Sequence, residues 1–220
     1  MYTFRFSEVF RYSDLLVSGA LRSVGVTALT ATLGLCVGTS CALLLLYGPK
    51  RLRPFITGYV EFLRNTPFIV QLFLIFFGLA SVGLRMSSWT AAILALTVNF
   101  GAYTTEIMRA GIIFIPRGQI ESAASLGLGP WHTFANVIAF QAVRNVYASI
   151  SSYIVLLFLG TSIISQISVQ ELFYSASYIE SRTFRNFEAY LVVSAIYLAI
   201  VIVFRLLSSL FWLLVFARRG

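Results

Sequence analysis

Four stretches of this chain run for about 20 residues or more without a charge: Val24 to Tyr47, Thr66 to Leu84, Met86 to Thr105, and Asn145 to Gln170. A bilayer's hydrocarbon core, about 30 Å thick, is crossed by roughly 20 apolar residues in an α-helix. A fifth stretch, Ala189 to Ala217, is broken only by Arg205, whose long stem lets its charged head snorkel to the interface or line an interior. The expectation is an all-α integral membrane protein with about five transmembrane helices. Composition agrees, because 59% of residues are hydrophobic and 11% charged, against about one quarter charged in a soluble domain.

The net charge of +8 is spread between apolar runs and forms no single basic face, which excludes a nucleic-acid partner. Its distribution sets topology instead. Lys50, Arg51 and Arg53 follow the first span, Arg218 and Arg219 the fifth, and Arg109, Arg117 and Arg144 surround the stretch between spans three and four. By the positive-inside rule these lie in the cytoplasm, which puts the N-terminus outside with Glu171, Glu180, Arg182, Arg185 and Glu188.

The first residues lack the basic, apolar and small-residue regions of a signal peptide, so residues 1–17 are expected as an amphipathic interfacial helix on the mature protein. Cys36 and Cys41 fit neither a disulfide framework nor a metal site, and the single His132 has no carboxylate or cysteine nearby. Neither a metal nor a catalytic site is expected. With no repeat or linker, residues 1–220 form one domain.

Residues 118–134, GQIESAASLGLGPWHTF, lie between spans three and four and are small and polar. Glu121 begins a run of helix formers with small side chains, Gly127 and Gly129 stop it, and Pro130 suits the first turn of another helix. Two short helices at a bend are expected. Small side chains admit the close approach of another protein, with Glu121 and Trp131 as polar handle and anchor.

The run Glu121, Ser122, Ala123, Ala124 and Gly127 resembles the EAA loop of permease subunits in bacterial ABC importers. Two longer segments, YVEFLRNTPFIVQLFLIFFGL at Tyr59 to Leu79 and NFGAYTTEIMRAGIIFIPRGQIESAASLG at Asn99 to Gly127, are similar to the branch that imports polar amino acids. The resemblance covers nearly the whole chain. It implies a type I importer permease fold with residues 111–140 as the cytoplasmic coupling loop, docked through Glu121, Ser122, Ala123, Ala124, Gly127 and Trp131 on an ATPase.

Polar residues within the spans are candidates for the solute path. Glu61 and Arg64 stand one helical turn apart and can pair, while Thr66 and Pro67 suit the N-cap and first turn of the second span. Gln71, inside that span, needs a hydrogen-bonding partner, either another helix or the path. Asn99, Tyr103 and Glu106 fall at i, i+4 and i+7 on one face of the third helix. An ionisable group there is a functional candidate, although Glu106 can also pair with Arg109 as an anchor at the membrane face. Hydroxyls of the fourth span, including Ser151 and Ser152, commonly bond back to their own turn. Thr161 and Ser162 match the branch's Thr-Ser pair, which implies a place on the path, and Ser152 stands where the family places an Asn.

The chain departs from the family around that pair. Ala139, Phe140 and Ala148 replace a Leu-Pro and a second Pro, and Leu159 with Gly160 replaces Lys-Asp. Fewer groups remain to hold a solute, which favours a heterodimer whose other permease carries the main site over a homodimer with a re-shaped site. No phosphate-binding G-x-x-x-x-G-K-[ST] loop is present, so the chain is expected to be no enzyme and to hold no cofactor. ATP and Mg would be bound by a partner ATPase dimer, while an extracytoplasmic solute-binding protein delivers a polar amino acid or amino acid derivative. An autonomous channel or secondary transporter leaves the loop unexplained. A membrane-embedded enzyme lacks a nucleophile with a base.

Overall fold

The computed structural model describes residues 3–216, so Ala217, Arg218 and Arg219, used above for the fifth span and its orientation, lie outside the described residues. Among the described residues the chain folds as nine helices, with a 3₁₀ turn at Lys50–Leu52 before the third, and no strands. They are α1 (Phe6–Phe10), α2 (Ser13–Tyr47), α3 (Arg53–Arg64), α4 (Phe68–Ser81), α5 (Ser88–Ile113), α6 (Arg117–Ser125), α7 (Pro130–Ile167), α8 (Leu172–Thr183) and α9 (Asn186–Val215). Helices α2, α5, α7 and α9 are long and apolar enough to cross a membrane, and the bent pair Lys50–Arg64 with Phe68–Ser81 supplies a fifth candidate span.

The boundaries differ from the charge-free runs in instructive ways. Residues 1–17 are not one interfacial helix: α1 is five residues long, and α2 starts at Ser13 and continues unbroken through the first span. At 1.5 Å per residue α2 is about 52 Å long, and it stops where Gly48 and Pro49 end the ladder. The third span runs on to Ile113, which puts Glu106 and Arg109 inside its helix. Uncharged runs mark the apolar part of a helix, whereas the backbone ladder continues until a cap or a proline ends it.

The second span falls short of Thr66 to Leu84. Thr66 donates its hydroxyl to the Phe62 carbonyl at 2.8 Å, Pro67 restricts the residue before it, and α4 begins only at Phe68. The proline therefore precedes the helix and does not occupy its first turn. Including a π turn at Leu74–Gly78, α4 is about 21 Å long. Nor do Glu61 and Arg64 pair: Glu61 accepts from Asn65 Nδ2 at 2.9 Å, and the Arg64 guanidinium lies 5.6 Å from the centre of the Tyr103 ring.

Contacts divide the chain into two compact units, each described by itself. One comprises the described residues up to Ala31, Phe68–Leu96 and the described residues from Ile154. Its core of Val9, Leu16, Leu172, Ile179 and Val193 joins α1, the start of α2, α8 and α9. The segment before α1 is fastened down, because the Arg5 amide donates to Glu188 Oε1 at 3.1 Å and Arg185 Nη1 to the Thr3 carbonyl at 3.3 Å.

The other unit comprises Thr32–Pro67 and Thr97–Tyr153. Here α2 meets α5 through Gly34 and Gly38, a G-x-x-x-G pair of the kind that lets membrane helices approach closely. A Cβ added at Gly38 would stand 2.6 Å from Thr104 Cβ and 2.8 Å from the Gly101 carbonyl oxygen. Beyond that contact Ile112, Ile115, Ile138 and Ala142 close a core between α5 and α7.

Candidate functional site

The loop between α5 and α7 folds as two short helices at a bend. Helix α6 ends at Ser125, and Gly127 adopts φ +78°, a conformation that costs a residue with a Cβ roughly 1–2 kcal/mol. The Gly127 amide donates to the Ala124 carbonyl at 2.9 Å and the Leu128 amide to that of Ala123 at 3.1 Å, so a Schellman cap satisfies the end of α6. Gly129 then serves as N-cap and Pro130 enters the first turn of α7.

That bend decides which side chains point outward. Glu121, Ser122, Ala124, Gly127 and Trp131 are exposed. Ala123 is an exception among the expected docking residues: it turns inward at 4% exposure, because it lies three residues beyond Ile120, on the side of α6 that packs against the core of Ile112, Ile115, Ile138 and Ala142. Leu126, which sequence reasoning passed over, is 81% exposed, more than Trp131 at 72%. Its signal was an apolar residue at the helix end, one position before the αL glycine.

The polar face of α5 is also formed. Asn99, Tyr103 and Glu106 are each partly exposed, and Tyr103 stacks on Tyr153 of α7 at a centroid distance of 4.6 Å. With Arg64 over its ring and its hydroxyl 3.4 Å from the Arg64 carbonyl, Tyr103 sits in a small aromatic and cationic cluster. Arg64 and Tyr153 are neighbours of Tyr103 that no sequence motif signalled. Glu106 takes Arg109 as partner through two hydrogen bonds, from Nε at 3.1 Å and Nη2 at 2.6 Å. Beside Glu106 a groove of about 520 Å³ takes Asn145 and Ser149 into its wall. Asn145, Ser149 and Ser152 occupy i, i+4 and i+7 on α7 and are exposed, forming a polar stripe along one face of the helix.

The remaining candidates belong to the other unit. Gln71 is buried at 2% exposure on α4, whose first turns pack against the end of α7. There α7 tightens into a 3₁₀ helix over Thr161–Ile167. The change begins at the Thr-Ser pair, whose hydroxyls both bond backward: Thr161 Oγ1 to the Phe158 carbonyl and Ser162 Oγ to that of Leu159, each at 2.7 Å. A 3₁₀ winding is a common way for an α-helix to end.

After that turn lies a group that no motif signalled. Glu171, fully buried, is the N-cap of α8 and accepts from the amides of Tyr174 at 2.7 Å and Phe173 at 2.8 Å. It also accepts from Tyr197 Oη at 2.9 Å and Ser23 Oγ at 3.2 Å. Burial pushes its carboxyl above the usual carboxylate range, although these four donors pull the other way. The site is structural, joining α2, α8 and α9.

Three comparisons bear on this arrangement. The family described as binding-protein-dependent transport system inner membrane component matches residues 34–217. The nopaline transport system permease protein of Agrobacterium fabrum is 33% identical over 198 residues, covering 86% of this chain and 82% of that protein. The octopine transport system permease protein of Rhizobium radiobacter is 35% identical over 173 residues, covering 74% and 70%. Among solved structures, a chain of an amino acid ABC transporter with histidines superposes with a TM-score of 0.89 at 34% identity, covering 96% of this chain and 98% of that one. The inward-facing MetNI methionine ABC transporter, at 20% identity and a TM-score of 0.76 over 90% of this chain and 95% of the other, shares the fold.

Proposed function

The chain belongs to the family of inner membrane components of binding-protein-dependent transport systems, and from that premise we propose that it is one permease half of an ATP-driven importer for a polar amino acid or an amino acid derivative. It is a multi-pass inner membrane protein and a transport subunit that works with an ATPase and other subunits. The exposed bend at Glu121 to Trp131 supports the reading most. It presents a carboxylate, two small residues and two large apolar side chains on a short rigid element, a form suited to a groove in a partner.

The finer parts of the reading follow from the same chemistry. The partner is a dimer of ABC ATPase subunits that binds ATP and Mg, and Glu121, Ser122, Ala124, Leu126, Gly127 and Trp131 pass its motion to the membrane helices. The loop lies in the cytoplasm, the N-terminus outside and the C-terminus inside. A solute-binding protein delivers the solute from the outer side. Polar groups exposed on a membrane helix belong against protein or water, because lipid cannot satisfy them. Asn145, Ser149 and Ser152 of α7 accordingly face a second permease or the solute path. Leu159 and Gly160, with no charge or amide to offer, favour a different permease as that second half. Gln71, Asn99, Tyr103, Glu106, Thr161 and Ser162 complete this subunit's share of the path. The nopaline and octopine systems among the relatives favour an amino acid conjugate as solute.

The test is to tag the chain in its native host, extract it in mild detergent and identify co-purifying proteins by mass spectrometry. An ATPase together with a second, different permease is expected. An ATPase with this chain alone would overturn the heterodimer. Recovery of intact, folded chain with no ATPase would remove the importer reading.

A further inference from the structure

A groove beside the proposed coupling bend shares Trp131 with it, but its apolar interior is not used by the function above. It encloses about 880 Å³ between the end of α2 and the α6–α7 bend, with walls of Leu43, Tyr47, Ile120, Trp131, Phe134 and Ile138. None of these side chains carries a charge. One wall is the last turn and a half of α2, a candidate membrane span whose end is followed by the cations that the positive-inside rule sets at the membrane surface. Tyr47 and Trp131 are the residue types that settle at that level, with an apolar body and a polar tip.

Three cations follow directly. Lys50, Arg51 and Arg53 are exposed, and no ion pair among the described residues involves them. Lys50 is three residues beyond Tyr47, so their Cα atoms lie within about 11 Å of one another. An apolar groove at the end of a candidate membrane helix, with three exposed cations three to six residues beyond its Tyr47 wall, matches the two ends of an anionic phospholipid. A neutral lipid would leave the cations unused. A soluble peptide would have to compete with acyl chains at the level of Leu43.

We propose that this groove binds an anionic phospholipid, with an acyl chain along Leu43, Ile120, Phe134 and Ile138 and the headgroup phosphate against Lys50, Arg51 and Arg53. The site does not depend on which solute is carried. A lipid seated there touches Trp131, on the surface proposed to meet the ATPase, and so links bilayer composition to that contact.

The test uses Trp131 as reporter in the full chain. The chain has three tryptophans, so Trp89→Phe with Trp212→Phe leaves Trp131 alone. The protein is placed in phosphatidylcholine nanodiscs holding a rising fraction of phosphatidylglycerol, with brominated acyl chains on one lipid or the other. Brominated phosphatidylglycerol is expected to quench Trp131 at low fractions and to saturate, whereas brominated phosphatidylcholine quenches weakly. Each cation near the surface contributes about five-fold in affinity, so Lys50→Gln, Arg51→Gln and Arg53→Gln together should reduce the preference about a hundred-fold. Raising salt on the unsubstituted cations should weaken it as well, which keeps the test decisive if the triple variant does not fold. Equal quenching by both lipids in proportion to their fraction would overturn the proposal, as would a preference indifferent to the cations and to salt. Protection of Trp131 from both lipids would also overturn it and assign the groove to a protein partner.

Discussion

At the scale of the residue, Glu171 is a carboxylate held by two amides of a helix start and two hydroxyls from other helices. Replacing it with Ala leaves these donors in a buried site, where an unmet hydrogen bond costs about 1–3 kcal/mol and a lost N-cap about 1 kcal/mol. Glu171→Ala should lower the thermal midpoint in detergent by roughly 5–15 °C, read by tyrosine and tryptophan fluorescence. The pH dependence has a definite sign. In the unfolded chain the carboxyl titrates near its ordinary value of about 4.3, and in the folded chain burial raises that value. The folded state then holds the proton to higher pH, so this contribution to stability is complete below about pH 4.3 and is lost as pH rises through the raised value. Glu171→Gln should flatten that part of the midpoint-against-pH curve, and an unchanged slope would assign it to another group. Nothing local in the sequence distinguishes Glu171 from Glu180 nine residues on. Both are acidic residues in a polar stretch, and only the positions of Ser23 and Tyr197, distant in sequence, bury one of them.

At the scale of the element, α2 and α5 test the close helix approach. Gly38→Leu places a branched side chain where even a Cβ meets Thr104 and the Gly101 carbonyl oxygen, and overpacking of this kind costs about 1–3 kcal/mol or more. Reduced yield of folded chain and a lower midpoint are expected, while Gly25→Leu on the same helix, whose Cβ meets nothing within 4 Å, should leave both unchanged. The bend after α6 separates backbone from packing in the same way. An added Cβ at Gly127 also meets no atom within 4 Å, so Gly127→Ala acts through its positive φ alone, and Gly127→Asn, better suited to that conformation, should be milder. The bend was legible in the sequence because its determinants are local: a run of helix formers, then Gly127, Gly129 and Pro130. The short α4, the helix at Leu172–Thr183 and the 3₁₀ winding at Thr161 were not, because uncharged length measures hydropathy and carries no mark of where the backbone ladder tightens or restarts.

At the scale of the whole molecule, the exposed bend should matter to transport more than to folding. Glu121→Lys, and Gly127 replaced by Trp, should leave the chain inserted in the membrane but separate ATP hydrolysis from uptake, measured as solute accumulated per ATP consumed in reconstituted transporter. Leu126→Ala combined with Trp131→Ala should reduce recovery of the ATPase in the tagged pull-down ten-fold or more, as removal of anchor residues at an interface does. Uptake unchanged in both the Glu121 and Gly127 variants would count against the coupling role. Ala123→Ser, on the inward side of α6, should affect stability and not coupling.

The sequence by itself determined that this chain crosses a membrane, which apolar stretches lie within its long helices, and that the segment between the third and fourth spans bends between two short helices. Those properties depend on the solvent and on contacts a few residues apart, so composition, spacing and turn chemistry carry them. The tertiary structure decided which of the polar residues are buried, which are paired and which are presented. Ala123 went inward and Leu126 outward, Glu106 closed on Arg109, Arg64 joined Tyr103 and Tyr153, and Glu171 became the junction of three helices. Each outcome depends on which helix face meets which neighbour. A one-residue difference in where a helix begins turns that face by about 100°, and only the packed helices fix it.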